Sequence, residues 1–139
     1  MANYYEQSRS NYFKVKDRTA FQAFLGRFGE AVEFIEDEKD KDRVGFLAQE
    51  GIPSEWVVTD ADGMEESVPV DFVSELAGHL ADHEVMIVTG TGYEKMRYLV
   101  GFAVAINNRK ERREVDLANI YVLARQLTKK PKRITRAEY

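Results

Sequence analysis

The stretch "GTGYEKMRYLVGFAVAINN", residues 90–108, decides the fold, because it reads either as a phosphate cradle or as part of a hairpin. It comes after the apolar run "VMIV", 85–88, and holds Gly90, Gly92, Lys95 and Arg97. A dinucleotide fingerprint needs a third glycine where Lys95 stands, and the P-loop pattern is absent. The residues after Lys95 decide between the two. Residues 97–107 have period two, and both phosphate cradles require a helix N-terminus at that place. The glycines are therefore expected to supply the positive φ angles of a hairpin loop over Gly90–Lys95, with no nucleotide bound.

The second strand of that hairpin is apolar on both sides. Tyr98, Val100, Phe102, Val104 and Ile106 share one face; Leu99, Gly101, Ala103 and Ala105 share the other. This predicts a central strand covered on both faces, with Gly101 under a helix. Working towards the N-terminus, "SNYFKV", 10–15, alternates as a strand. Asp17 then has the position of a helix N-cap, and Phe21, Phe24, Leu25 and Phe28 form an apolar stripe that Gly29 ends. "AVEFIE", 31–36, and "RVGFLAQ", 43–49, read as strands joined by the charged loop "DEKDKD". That loop has neither the glycine nor the distal glutamate of a calcium loop. "SEWVVTD", 54–60, is a further strand, and 60–67 an acidic loop. Pro69 suits the first turn of a second helix with Val73, Leu76, Ala77 and Leu80 as its stripe.

Past the hairpin, "NNRKERRE" is a charged turn and "EVD" a short strand. Asp116 is placed to cap a third helix with Ile120, Leu123, Ala124 and Leu127 as its stripe. The order β-α-β-β-β-α-β-β-α predicts an α+β fold: a mostly antiparallel sheet of about five or six strands with three helices. Residues 1–127 are expected to form one domain and 128–139 a basic tail.

The chain has 139 residues, 44% apolar and 32% charged, a globular composition able to bury one core. With no cysteine, disulfides, thiolate zinc sites and thiol nucleophiles are excluded. No apolar run reaches membrane-spanning length, and the first residues lack a signal-peptide apolar region, so a cytoplasmic protein is expected. Net charge is −4, unevenly placed. Lys129, Lys130, Lys132, Arg133 and Arg136 against Glu138 give the tail +4, leaving −8 on the other 127 residues. The tail is either a solvated terminus or a contact for nucleic acid or an acidic partner. The acidic body is too moderate, and too interleaved with lysine, to imitate a phosphate backbone.

His79 and His83, with Glu75, fall four apart on the second helix, but Leu80 stands where the metalloprotease motif has its glutamate, so no metal is expected. Trp56 and Tyr4, Tyr5 and Tyr12 lack the basic neighbours of a single-strand stacking platform and are expected to pack. Ser10, Ser54, Ser67 and Ser74 have no nucleophile-elbow context. No catalytic residue and no cofactor site is expected.

Four segments, "SRSNYFKVK" at 8–16, "FVSELAGHLADHEV" at 72–85, "GYEKMRYLVGFAVAIN" at 92–107 and "TRAEY" at 135–139, resemble small uncharacterised accessory proteins encoded on bacterial plasmids, integrative elements and phages. The resemblance implies a non-enzymatic factor that binds a host or element protein, including roles against host defence. It carries no catalytic residues.

Overall fold

The computed structural model describes residues 5–94 and 98–137. The fold is α+β. Eight strands are present among the described residues: β1 (Tyr5–Ser10), β2 (Glu33–Glu36), β3 (Val44–Ala48), β4 (Glu55–Thr59), β5 (Glu65–Pro69), β6 (Val85–Glu94), β7 (Tyr98–Asn107) and β8 (Arg112–Asp116). Six form one sheet in the order β2-β3-β1-β6-β7-β8; β4 and β5 form a separate hairpin, and every pairing is antiparallel. The helices are α1 (Arg18–Gly26), α2 (Phe72–Ala77) and α3 (Asn119–Ala124).

The stretch 90–108 is a hairpin, with a different division of labour from the one expected. Gly90 and Gly92 lie inside β6, opposite Phe102 and Val100, and neither has a positive φ. Residues 95–97, including Lys95, lie outside the described residues. Gly90 is small for another reason. A Cβ there would run into the Phe102 ring and lie 2.7 Å from Ser8 Oγ. The absent side chain lets the ring of the neighbouring strand lie over β6.

The first strand is also displaced. It occupies Tyr5–Ser10 rather than 10–15, and Phe13 and Val15 make only single bridges to Val44 and Leu80. Its polar residues hide it from a hydrophobicity reading, yet it is central, between β3 and β6. Ser8 and Ser10 face inward and are buried, each against a glycine of a neighbouring strand: a Cβ on Gly90 would lie 2.7 Å from Ser8 Oγ, and one on Gly45 2.7 Å from Ser10 Oγ. Ser10 Oγ donates to Asn11 O and accepts from Phe46 N.

α1 follows the expected chemistry at its start: Asp17 Oδ1 accepts from Ala20 N at 3.2 Å. It ends before Gly29, which at φ +60° opens the 3-10 turn Gly29–Ala31. Pro69 does not begin α2. It closes β5 opposite Glu55, and Asp71 caps α2 by accepting from Ser74 N. β5 was hidden in the acidic stretch because only Val68 between Glu65 and Pro69 is a large aliphatic, too little for a period to show. Asp60 Oδ1 shapes its turn, accepting from Asp62 N and Met64 N.

α1 and α2 cover one face of the sheet. The core between them contains Phe13, Phe21, Phe46, Phe72, Leu76 and Met86. Trp56 anchors the β4–β5 hairpin to this core: it stacks on Phe28 at 6.2 Å, meets Phe24 edge-on, and carries Arg27 over its ring at 3.6 Å. Asp116 ends β8 and caps nothing; Ala118 stands at the α3 N-cap without a side-chain bond. No helix among the described residues is long and apolar enough to cross a membrane.

Candidate functional site

Strand alternation sends every second side chain of the sheet away from α1 and α2. Pairing register then builds the opposite face row by row. Tyr5, Tyr93 and Leu99 form one end; Gln7, Thr91 and Gly101 lie next, and beyond them Arg9, Thr89, Ala103 and Val115. Ile87, Ala105 and Arg113 come after these, with Val85 opposite Asn107 at the far end. β7 is therefore covered on one face only, contrary to the expectation of cover on both. The centre is a shallow groove lined by Gln7, Arg9, Leu47, Gln49, Thr89 and Thr91.

This face is open and mixed: polar at its centre and at Arg113, with exposed apolar residues around them. Val85, Ile87, Tyr93, Leu99 and Val115 each expose between 42% and 60% of their surface. Tyr5 and Tyr93 pack together at 5.3 Å at one end. Single exposed apolar residues are ordinary, but contiguous ones mark interaction sites.

The C-terminal segment continues the same surface. Leu117 extends the alternation of β8: its N–H donates to Gly101 O at 3.0 Å, and its side chain lies over Gly101. The side chain above Gly101 thus comes from the residue before α3, not from a helix. α3 comes next and runs directly on into the 3-10 turn Arg125–Leu127. It has no buried residue. Ile120, Val122, Leu123 and Leu127 are all more than half exposed. A six-residue helix is too short to hold itself in water, so its apolar residues ask for cover.

The basic tail stands beyond. Lys129, Lys130, Lys132 and Arg133 lie along it, the last two in the 3-10 turn Pro131–Arg133. Arg136 lies over the Tyr121 ring at 4.4 Å, and Tyr121 Oη accepts from Ala137 N at 2.7 Å, folding the tail back against α3.

The remaining sequence candidates scatter. α2 ends at Ala77, so His79 and His83 do not share a helix. His83 is an exposed turn residue at φ +68°. His79 is half-buried against Phe21 and Phe24. Burial pushes its imidazole below the ordinary 6.5, opposed by Glu75 and Asp17 and aided by Lys16. No group of three or more metal-ligating side chains occurs among the described residues. Asp71 is desolvated, which raises its carboxyl; the Ser74 N–H and hydroxyl and Arg112, 3.2 Å away, outweigh this and hold it below 3.8. Both groups serve the fold: one packs, the other caps α2 and ties it to β8. Tyr12 lies under Arg9, 5.8 Å from its ring centre; Tyr4 lies outside the described residues.

No family model matches the chain, and no significant match was found among curated proteins or solved structures.

The tail cations and the apolar residues of β7 and α3 are visible in the sequence, but their periodicity places the apolar ones in the interior. Two of the outward residues of β6, Val85 and Ile87, belong to the run "VMIV", which reads as a buried strand. Their alternation, with Met86 and Val88 buried and Val85 and Ile87 exposed, emerges only from the pairing.

Proposed function

We propose that this protein is a non-enzymatic binding factor that acts through a protein partner, an accessory product of a mobile genetic element working in the cytoplasm, with interference in host defence as its role. One observation supports the binding reading: the exposed apolar residues Val85, Ile87, Leu99 and Val115 on the open face of β6, β7 and β8, joined through Leu117 to an α3 that has no buried residue. Surfaces of that kind are costly to leave in water and are covered in use. The mobile-element context rests on the resemblance of the segments 8–16, 72–85, 92–107 and 135–139.

The test is isolation of the partner with the tagged chain, then calorimetric titration of the purified pair. Ile87→Lys and Val115→Glu place charges on the open face while leaving the core untouched, so they should weaken binding by at least about tenfold, or about 1.4 kcal/mol. Unchanged binding by both variants would remove this surface from the proposal. Micromolar binding of ATP or NAD, lost in Lys95→Ala, would replace it with an enzyme.

A second reading has its own support. Lys129, Lys130, Lys132 and Arg133 are held by no carboxylate among the described residues. Together with Arg136 they form a site for phosphate backbones. Nucleic-acid binding through the tail would fall steeply with salt and vanish on deletion of 128–139. Salt-independent binding, or none, ends that reading.

A further inference from the structure

We propose that the open sheet face is a platform for single-stranded nucleic acid, with bases stacked at the Tyr5–Tyr93 end and phosphates held by Arg9 and Arg113. This goes beyond the tail reading, because it takes the same class of ligand to a different surface. It uses the polar rows of β1 and β6, beside the apolar residues on which the protein-binding reading stands.

Charge is sorted between the two faces of the sheet. The chain has 24 acidic against 20 basic side chains, yet the outward positions of the six strands hold one carboxylate, Glu33 on the edge strand β2. Leu47 of β3 lies between Glu33 and Arg9 in the register. Two arginines stand outward, Arg9 on the central β1 and Arg113 on β8. Neither makes an ion pair among the described residues, whereas Arg18, Arg43, Arg109 and Arg112 each hold a carboxylate. Arg9 Nε donates to Ser10 O and Arg113 Nη1 to Arg112 O, so each guanidinium is steadied by the backbone and keeps donors to spare. The acidic side chains are elsewhere. They crowd the β2–β3 turn and the β4–β5 hairpin, and on β8 Glu114 turns to Arg112, which reaches Asp71 at the start of α2. An acidic chain that leaves unpaired guanidiniums on one open face presents that face to an anion.

The rest of the face fits bases rather than a plain anion. Tyr5 and Tyr93 are cross-strand neighbours with ring centres 5.3 Å apart, and each is about half exposed, at 53% and 50%. Exposed rings give stacking faces to bases of any identity. Tyr5, Gln7 and Arg9 then follow one another along the outward side of β1 in steps of about 6.6 Å, with Thr91 and Thr89 beside them on β6. The groove there, about 490 Å³, is lined by Gln7, Arg9, Gln49, Thr89 and Thr91 and by no carboxylate. Amides and hydroxyls donate and accept hydrogen bonds, as the edges of unpaired bases do. The sequence shows only Arg9 as a basic residue near Tyr5; strand pairing adds Tyr93 and brings Arg113 to the same face.

The same geometry selects single strands. Base edges of a duplex are read by a helix or β-ribbon that enters a groove. The rows of β1 and β6 are a surface to lie on, and only unpaired bases can be laid on it.

Fluorescence anisotropy tests this with the full chain, labelled single-stranded DNA and RNA of about 12 nucleotides, and the matching duplexes. The single strands should bind more tightly than the duplexes. Tyr93→Ala should weaken that binding at least about fivefold and Tyr93→Phe should keep it, since stacking needs the ring and not the hydroxyl. Arg9→Gln and Arg113→Gln should each weaken it and lower the slope of log K against log salt by about 0.7, one phosphate contact fewer. Arg18→Gln, on the α1 side, should change neither affinity nor slope. Circular dichroism of every variant confirms folding. No binding of any oligonucleotide overturns the proposal, and so does a preference for duplex. Binding that is lost with residues 128–139 but unmoved by Tyr93→Ala and Arg9→Gln overturns it and leaves the tail reading standing. Binding that survives the deletion and falls in both face variants supports it and ends the tail reading. A protein partner weakened by Arg9→Gln, with no oligonucleotide bound, overturns it and leaves the protein-binding reading standing.

Discussion

α1 and the C-terminal segment 117–127 use the same chemistry with opposite outcomes. Phe21, Phe24 and Leu25 of α1 are buried; Ile120, Leu123 and Leu127 stand in water. Asp17 caps α1 through Ala20 N, whereas Asp116 is spent as the last residue of β8. α1 comes after a chain that has crossed the sheet and returns over the core of Phe13, Val44 and Phe46, so its stripe meets a surface that β3 and β1 supply. The last segment leaves from an edge strand, with the Leu117 side chain on the face that α1 and α2 do not occupy. An apolar stripe states that a surface needs cover. It does not state which surface provides it.

Substitutions can break this contrast. Phe21→Ala should cost about 3–5 kcal/mol in denaturant unfolding, because it empties a fully buried ring site between Phe13 and Phe34. Leu123→Ala, measured at low protein concentration, should stay within about 0.5 kcal/mol. A cost for Leu123 comparable with that of Phe21, and independent of concentration, would mean that the segment is packed within its own chain.

Gly90→Val tests the covered side of the β6–β7 hairpin. Its side chain must displace the Phe102 ring, a loss of about 1–3 kcal/mol. Gly101→Val, on the open face, meets Leu117 first, at 3.2 Å, a half-exposed side chain free to turn aside. Its cost should be about 0.5 kcal/mol, below the overpacking penalty of a covered position. Equal losses at the two glycines would show that the open face is closed in the monomer.

The capping pair gives a smaller effect. Asp17→Ala should lose about 1 kcal/mol, and Asp116→Ala should fall within about 0.5 kcal/mol. Chemical denaturation of both variants at one pH checks the pair.

The smallest expected effect is a pH dependence confined to the core side. His79 has a folded value below 6.5, so the unfolded chain takes up its proton first as pH falls. Stability should therefore be intact above about 6.5 and decline as pH drops through that value towards the folded one. His79→Phe should remove this slope and leave that of the carboxylates at lower pH. An unchanged slope in the variant would place the titration elsewhere.

From its sequence alone this protein was legible as an α+β chain, because hydrophobic period and capping chemistry are local. The hairpin of 90–108, the Asp17 cap, the α1 stripe and the charge split between body and tail all depend on neighbours within a few residues. The tertiary structure decided the rest. β1 runs through polar residues because its strand character comes from β3 and β6 on either side, not from its own side chains. Gly90 is a glycine because of the Phe102 ring on the neighbouring strand, not because of a turn. The face shared by Ile87, Ala105 and Val115, and its continuation into an uncovered α3, exist only once register is set, since period two marks two faces without saying which one the helices will take.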